Sequence, residues 1–262
     1  MICMQSPQQA MARRAPLMTA TFRGYKTIFF ESPESLPLSP QGFLIEQEPG
    51  WVLNTHFHLQ HQFQVVVHGG GSVGRDPVDT ISVHYASPEA GYGPVVAGPD
   101  GLWYFTLRAV HDTGSWHLPL HRAKMRMGLK KRHAMAHVRV SSTAGAGLQQ
   151  AAAQPIARLG IASPNKPARQ PLIEPLIGPE PDALAAWMLR VPPSQRLVPP
   201  ADESGVGRFY IVGRGALQIG EAQFGALSLL FVSADETGFA IQAAAQGAEV
   251  VAVQFPTGTL SV

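Results

Sequence analysis

Gly50-Trp-Val-Leu-Asn-Thr-His56-Phe-His58-Leu-Gln-His-Gln62-Phe-Gln64-Val-Val-Val-His-Gly-Gly-Gly71 is the stretch on which the fold turns. His56 and His58 stand two apart in a run of β-formers. On a strand, positions i and i+2 face one side, so both imidazoles point into the same cavity. Gln62 and Gln64 follow at even spacing and share that face, whereas His61 has the opposite parity and faces out. Neutral imidazole is the commonest protein metal ligand, so the pair marks the start of a metal site. The competing reading is a histidine pair hydrogen-bonded inside the fold.

Outward from this stretch the pattern stays β. Strands are expected at 27–31, 42–48, 52–58, 62–67, 71–73, 80–85 and 103–109. Further on they are expected at 185–191, 207–212, 216–219, 227–232, 239–243 and 249–255. The 26 glycines and 23 prolines punctuate them as turns, and Gly69–Gly71 reads as a hairpin. That triplet lacks the following Lys-Ser/Thr and helix of a phosphate loop. Between the strand-rich halves the composition changes: a basic stretch is followed by Ser, Ala, Gly and Pro, with one helix candidate at 148–158. The organisation read from this is a disordered terminus (1–18), an N-terminal domain (19–121), a connector (122–170) and a C-terminal domain (171–262).

Bulk numbers narrow the function classes. Hydrophobic residues make up 45% and charged residues 15% of the 262, so the chain buries a sizeable core. The net charge of +2 is carried largely by residues 122–139, which excludes a folded nucleic-acid face. A single cysteine, Cys3, rules out an internal disulfide and fits a reducing compartment. No apolar run reaches the roughly 20 residues of a membrane span, and no signal-peptide core is present. A cytoplasmic protein is the expectation.

The halves repeat. A shift of 146 positions lays 207–215 on 61–69 and 247–253 on 101–107. Two matches at one offset indicate a duplicated all-β unit.

These residues resemble the cupin superfamily. Its first motif is Gly, five residues, His-x-His, three or four residues, Glu, six residues, Gly. Gly50, His56, His58 and Gly69 fall on it, with Gln62 in place of Glu. Its second motif is Gly, five residues, Pro-x-Gly, two residues, His, three residues, Asn. Gly93, Pro99 and Gly101 fall on it, with Tyr104 in place of His and Arg108 in place of Asn. The resemblance implies an all-β fold of two tandem cupin-type jelly-roll β-barrels. It implies a divalent transition metal (Zn, Ni, Fe or Mn) held by His56, His58 and Gln62 in the N-terminal barrel. It places Asp202, Ser204, Arg208 and Val250 at the ligand positions of the C-terminal barrel, which is therefore degenerate.

Gln62 carries no charge, and a tyrosine binds metal well only as phenolate, so the ligand set departs from the family's. Gln64, Tyr104 and Arg108 are expected to line the ligand pocket, with Arg108 suited to a carboxylate. His84, Tyr85, Glu89 and Tyr92 are candidates for its mouth. Two functions remain open: a metal-dependent oxygenase or lyase acting on a small organic molecule, or a non-catalytic ligand-binding or structural bicupin that has lost its metal. A homo-oligomer formed through strand edges is expected in either case.

Overall fold

The computed structural model describes residues 1–128, 130–138 and 170–260; the expected helix at 148–158 lies outside them. The chain divides into two compact units, Arg13–His137 and a second formed by Met1–Ala12 with Val138–Gly258. In chain order the strands are β1 (Ile2–Gln5), β2 (Arg14–Met18), β3 (Arg23–Phe30), β4 (Gln41–Gln47), β5 (Val52–Leu53), β6 (His56–Phe57), β7 (Gln62–Val73), β8 (Asp76–Asp79), β9 (Ser82–Ala86), β10 (Val95–Arg108), β11 (Trp116–His117) and β12 (His133–His137). The second half supplies β13 (Leu172–Ile177), β14 (Ala185–Val191), β15 (Arg196–Leu197), β16 (Arg208–Ile219), β17 (Ala222–Gly225), β18 (Leu229–Val232) and β19 (Ile241–Gln254). No helix among the described residues is long and apolar enough to cross a membrane.

The N-terminal unit runs β12-β9-β7-β10-β4-β3-β2 across its main sheet, with β11 and β6 forming a separate pair. The C-terminal unit runs β1-β18-β16-β19-β14-β13. The central order is the same in both, β9-β7-β10-β4-β3 against β18-β16-β19-β14-β13. β7 and β16, β8 and β17, and β10 and β19 begin 146 residues apart, the offset of the sequence repeat.

The N-terminus departs from the expectation of disorder over 1–18. β1 pairs with β18 from Ile2↔Val232 to Gln5↔Leu229, and Met4 packs on the core of the C-terminal unit. β2 pairs with β3 in the other unit. Ser6 caps the intervening turn at Pro7–Ala10, its side chain accepting from the Gln9 amide. The sequence gives little warning of this, because short edge strands with one half-buried face carry weak periodicity.

Gly69–Gly71 departs from the expected hairpin and lies inside β7. A Cβ on Gly69 would stand 2.1 Å from the Gly101 carbonyl oxygen, and one on Gly71 would stand 1.8 Å from that of Val96. The glycines let β7 and β10 approach where their register shifts. The second unit repeats the contact, Gly215 against the Gly247 carbonyl. Residues expected as one strand at 52–58 divide instead into β5 and β6, which sit in different sheets.

Both faces of β7 are buried. Phe63 and Val65 are wholly enclosed on one face, while Gln62, Gln64 and Val66 line the other. That inner face, with Phe43, Ile45, Leu53, Val95, Leu102 and Tyr104, encloses the core of the N-terminal unit. Burying each such large side chain stabilises the fold by about 1.5–3 kcal/mol, enough to hold a polar cluster in place at its open end.

Candidate functional site

A cavity of about 390 Å³ opens in the N-terminal unit. His56, His58, Gln62, Gln64, Tyr104 and Arg108 all line it, joined by Lys26, Tyr92, Thr106 and Asp112. Leu17, Phe22, Phe43, Ile45 and Leu53 form its apolar wall. His61 is absent from it and instead meets the Tyr85 hydroxyl at 2.6 Å.

His56 is fixed by its backbone, which exchanges both hydrogen bonds with Tyr92 and pairs with His117 across β6 and β11. Its Nδ1 donates to the Asn54 carbonyl at 2.8 Å, leaving Nε2 as the basic nitrogen. His58 lies just beyond β6, and its Nδ1 donates to Asp112 Oδ2 at 2.7 Å. The two rings meet edge to face, 5.5 Å between centroids. Burial, reinforced by the neighbouring His58, drives the His56 pKa down to about 3. Burial and the Arg108 charge drive His58 down to about 4, against the opposing pull of Asp112. Both rings are neutral at physiological pH, with the tautomer a metal would require.

Arg108, the last residue of β10, is 4% exposed and central to the cluster. Nη2 donates to Gln62 Oε1 at 2.9 Å and lies 3.1 and 3.3 Å from Nδ1 and Nε2 of His58. Nη1 donates to Gln41 Oε1 at 2.5 Å. Asp112 Oδ2, 3.7 Å from Nη2, supplies the counter-charge. Burial pushes the Asp112 carboxyl up, but the His58 hydrogen bond and the Arg108 charge outweigh it and bring the pKa to about 2. Asp112 also accepts from the amides of Leu59 and Gly114. Nothing in the sequence pattern marks it, because it lies outside both motifs in the loop after β10.

Tyr92, which the sequence put at the mouth, is buried in the wall. Its hydroxyl accepts from Gln62 Nε2 at 2.5 Å and from Gln64 Nε2 at 3.5 Å. Gln64 Oε1 in turn accepts from His84 Nδ1 at 2.9 Å, and His84 stacks on the exposed His133 of β12. Burial raises the pKa of both Tyr92 and Tyr104, so neither is a phenolate. Glu89 and Tyr85 face elsewhere, the former paired with Arg126 at 2.5 Å and the latter with His61.

A divalent ion fits this donor set poorly. No group of three or more His, Cys, Asp or Glu among the described residues is placed to hold a metal. Gln62 Oε1 already accepts from a guanidinium that also lies against His58 Nε2, so an ion would compete with Arg108 for both donors and sit beside a fixed positive charge. Asp112, the carboxylate among the described lining residues, is engaged by His58 Nδ1.

The 146-residue shift carries Gln62 onto Arg208 and Arg108 onto Gln254, so the C-terminal unit holds the same pair with the partners exchanged. There Arg208 Nε donates to Gln254 Oε1 at 2.7 Å, and Nη1 and Nη2 donate to the carbonyls of Pro200 and Ala201. Asp202 accepts from Ser204 and Gly207 and shapes the adjoining loop, and Val250 is buried in the core.

No family model matches the sequence, and no curated protein matches it. Solved structures match across almost the whole chain. A bacterial pirin from Escherichia coli, solved in complex with nickel(II), aligns with a TM-score of 0.56 at 13% identity, covering 98% of this chain and 100% of its own. An 11S globulin from Wrightia tinctoria aligns at 0.56 and 14% identity over 94% of this chain and 84% of its own. An oxalate decarboxylase from Lactobacillus farciminis, solved with formate, aligns at 0.53 and 13% identity over 97% of this chain and 86% of its own. The sheets and these likenesses define an all-β cupin-type jelly-roll fold. At such identities the likeness fixes the fold and leaves the chemistry to the residues.

Proposed function

We propose that this chain is a cupin-type ligand-binding protein whose N-terminal cavity takes a small organic molecule without a metal. The observation that carries this reading is the Arg108 guanidinium lying against Gln62 Oε1 and His58 Nε2, the donors a metal would need. A cavity with an apolar wall and a few convergent polar groups is the usual form of a small-molecule site.

A second reading keeps a divalent ion (Zn, Ni, Fe or Mn) on His56, His58 and Gln62, acting as Lewis acid or O2-activating centre in an oxygenase or lyase. One feature favours it: each histidine has its Nδ1–H tied to an oxygen, leaving Nε2 basic. The absence of an anionic ligand and the adjacent guanidinium weigh against it.

Elemental analysis of the purified wild type and of the His56→Ala/His58→Ala double variant separates the two. Neither protein is expected to carry stoichiometric metal. One ion per chain in the wild type and none in the variant would overturn the metal-free reading.

A further inference from the structure

We infer that the ligand of the N-terminal cavity is an organic carboxylate, gripped by Arg108 and Lys26; this rests on the metal-free reading above. The first support is an imbalance between donors and acceptors. The strong acceptors around the cavity are occupied: Gln41 and Gln62 by Arg108, Gln64 by His84, and both oxygens of Asp112 by His58 and backbone amides. Two donors are not. Arg108 Nε, fully enclosed, has no hydrogen-bond partner. The Tyr92 hydroxyl accepts two amide hydrogens and so keeps its own proton to give. Only His56 Nε2 remains as a basic acceptor.

Charge gives the second support. The ionisable side chains lining the cavity, the neutral histidines and tyrosines apart, are Lys26, Arg108 and Asp112, so the lining carries one excess positive charge, with Glu31 acting on Lys26 from outside it. Lys26 forms no ion pair among the described residues, and its Nζ lies 4.1 Å from the centroid of the Phe43 ring. A monoanion entering the cavity offsets that excess beside Lys26 and the Arg108 guanidinium, as charge-assisted pairing with carboxylate does.

The C-terminal unit supplies an internal comparison. Arg208 has the role exchanged with Gln254, and its Nε, Nη1 and Nη2 all donate within the protein. The guanidinium of Arg208 is thus satisfied within the protein, whereas that of Arg108 is left with an unpaired Nε. The apolar wall opposite suits a carboxylate with a hydrocarbon or aromatic body.

The test is thermal unfolding and titration calorimetry at constant ionic strength with acetate, hexanoate and benzoate, each beside its neutral amide. The carboxylates with apolar bodies are expected to raise the melting temperature with concentration while the amides leave it unchanged. Lys26→Met, which removes a half-buried unpaired charge, is expected to weaken binding at least tenfold. Arg108→Gln/Asp112→Asn, which removes the ion pair as a unit, is expected to abolish it. Crystals grown in bromide are expected to show an anomalous peak in the cavity within hydrogen-bonding distance of Lys26 Nζ. Amides that bind as well as the acids overturn the anion inference and leave the ligand-pocket reading standing. A cavity without bromide and without response to any acid overturns the anion inference. Stoichiometric metal in the elemental analysis removes its foundation.

Discussion

Asp112 shows how much rests on single side chains in the cluster. It anchors His58, balances Arg108 and accepts two backbone amides, all within a buried cluster. Asp112→Ala is expected to cost about 3–5 kcal/mol in urea unfolding, because it leaves a buried guanidinium without its counter-charge. Acid acts on the same residues. Burial holds His56 near 3, His58 near 4 and His84 near 3, while the unfolded chain takes up these protons near 6.5. The unfolded state therefore binds more protons below that pH. Stability is full above pH 6.5 and falls on acidification by about 1.4 kcal/mol per pH unit for each histidine. Asp112 adds a further loss between 3.8 and about 2. The urea midpoint is expected to drop between pH 7.5 and 5, and His84→Gln is expected to flatten that slope. At this scale parity and motif spacing pointed to six residues that line the cavity, His56, His58, Gln62, Gln64, Tyr104 and Arg108. They missed Asp112 and the inward placement of Tyr92, since loop residues carry no periodicity to report where they point.

Among the elements, β7 and β10 decide the geometry. Their crossing is close because Gly69 has no side chain where the Gly101 carbonyl passes. Gly69→Ala must hold an alanine at φ 70° and also displace that carbonyl, so a loss above about 2 kcal/mol is expected. Gly50 makes the control: it has the same φ of 70° with open space around it, and Gly50→Ala is expected to cost only about 1–2 kcal/mol. Denaturant midpoints of the two variants measure the difference. A glycine triplet reads alike whether it turns a chain or lets two strands touch, which is why the sequence suggested a hairpin inside a continuous strand. The strands themselves were legible: β14 falls at 185–191 as expected, and β4 within one residue.

For the whole molecule, the 146-residue shift in the sequence becomes a repeated strand order, with the paired arginine and glutamine exchanged between units. What the shift could not show is that β1 belongs to the C-terminal unit. Removal of residues 1–6 is expected to expose the edge of β18 and to lower hydrogen-exchange protection over 208–212 and 229–232, leaving β7 and β10 unaffected. Uniform loss across both units would contradict the division into units.

The pairing of β1 with β18 also bears on how the protein is made. Ile2 pairs with Val232, so β1 leaves the ribosome long before its partner strand exists. Residues 13–137 have every strand of their own sheet in hand long before that moment. During synthesis the molecule therefore passes through a stage in which one unit is complete while β1, which precedes it in sequence, is still unpaired and open to capture by a chaperone or by another nascent chain.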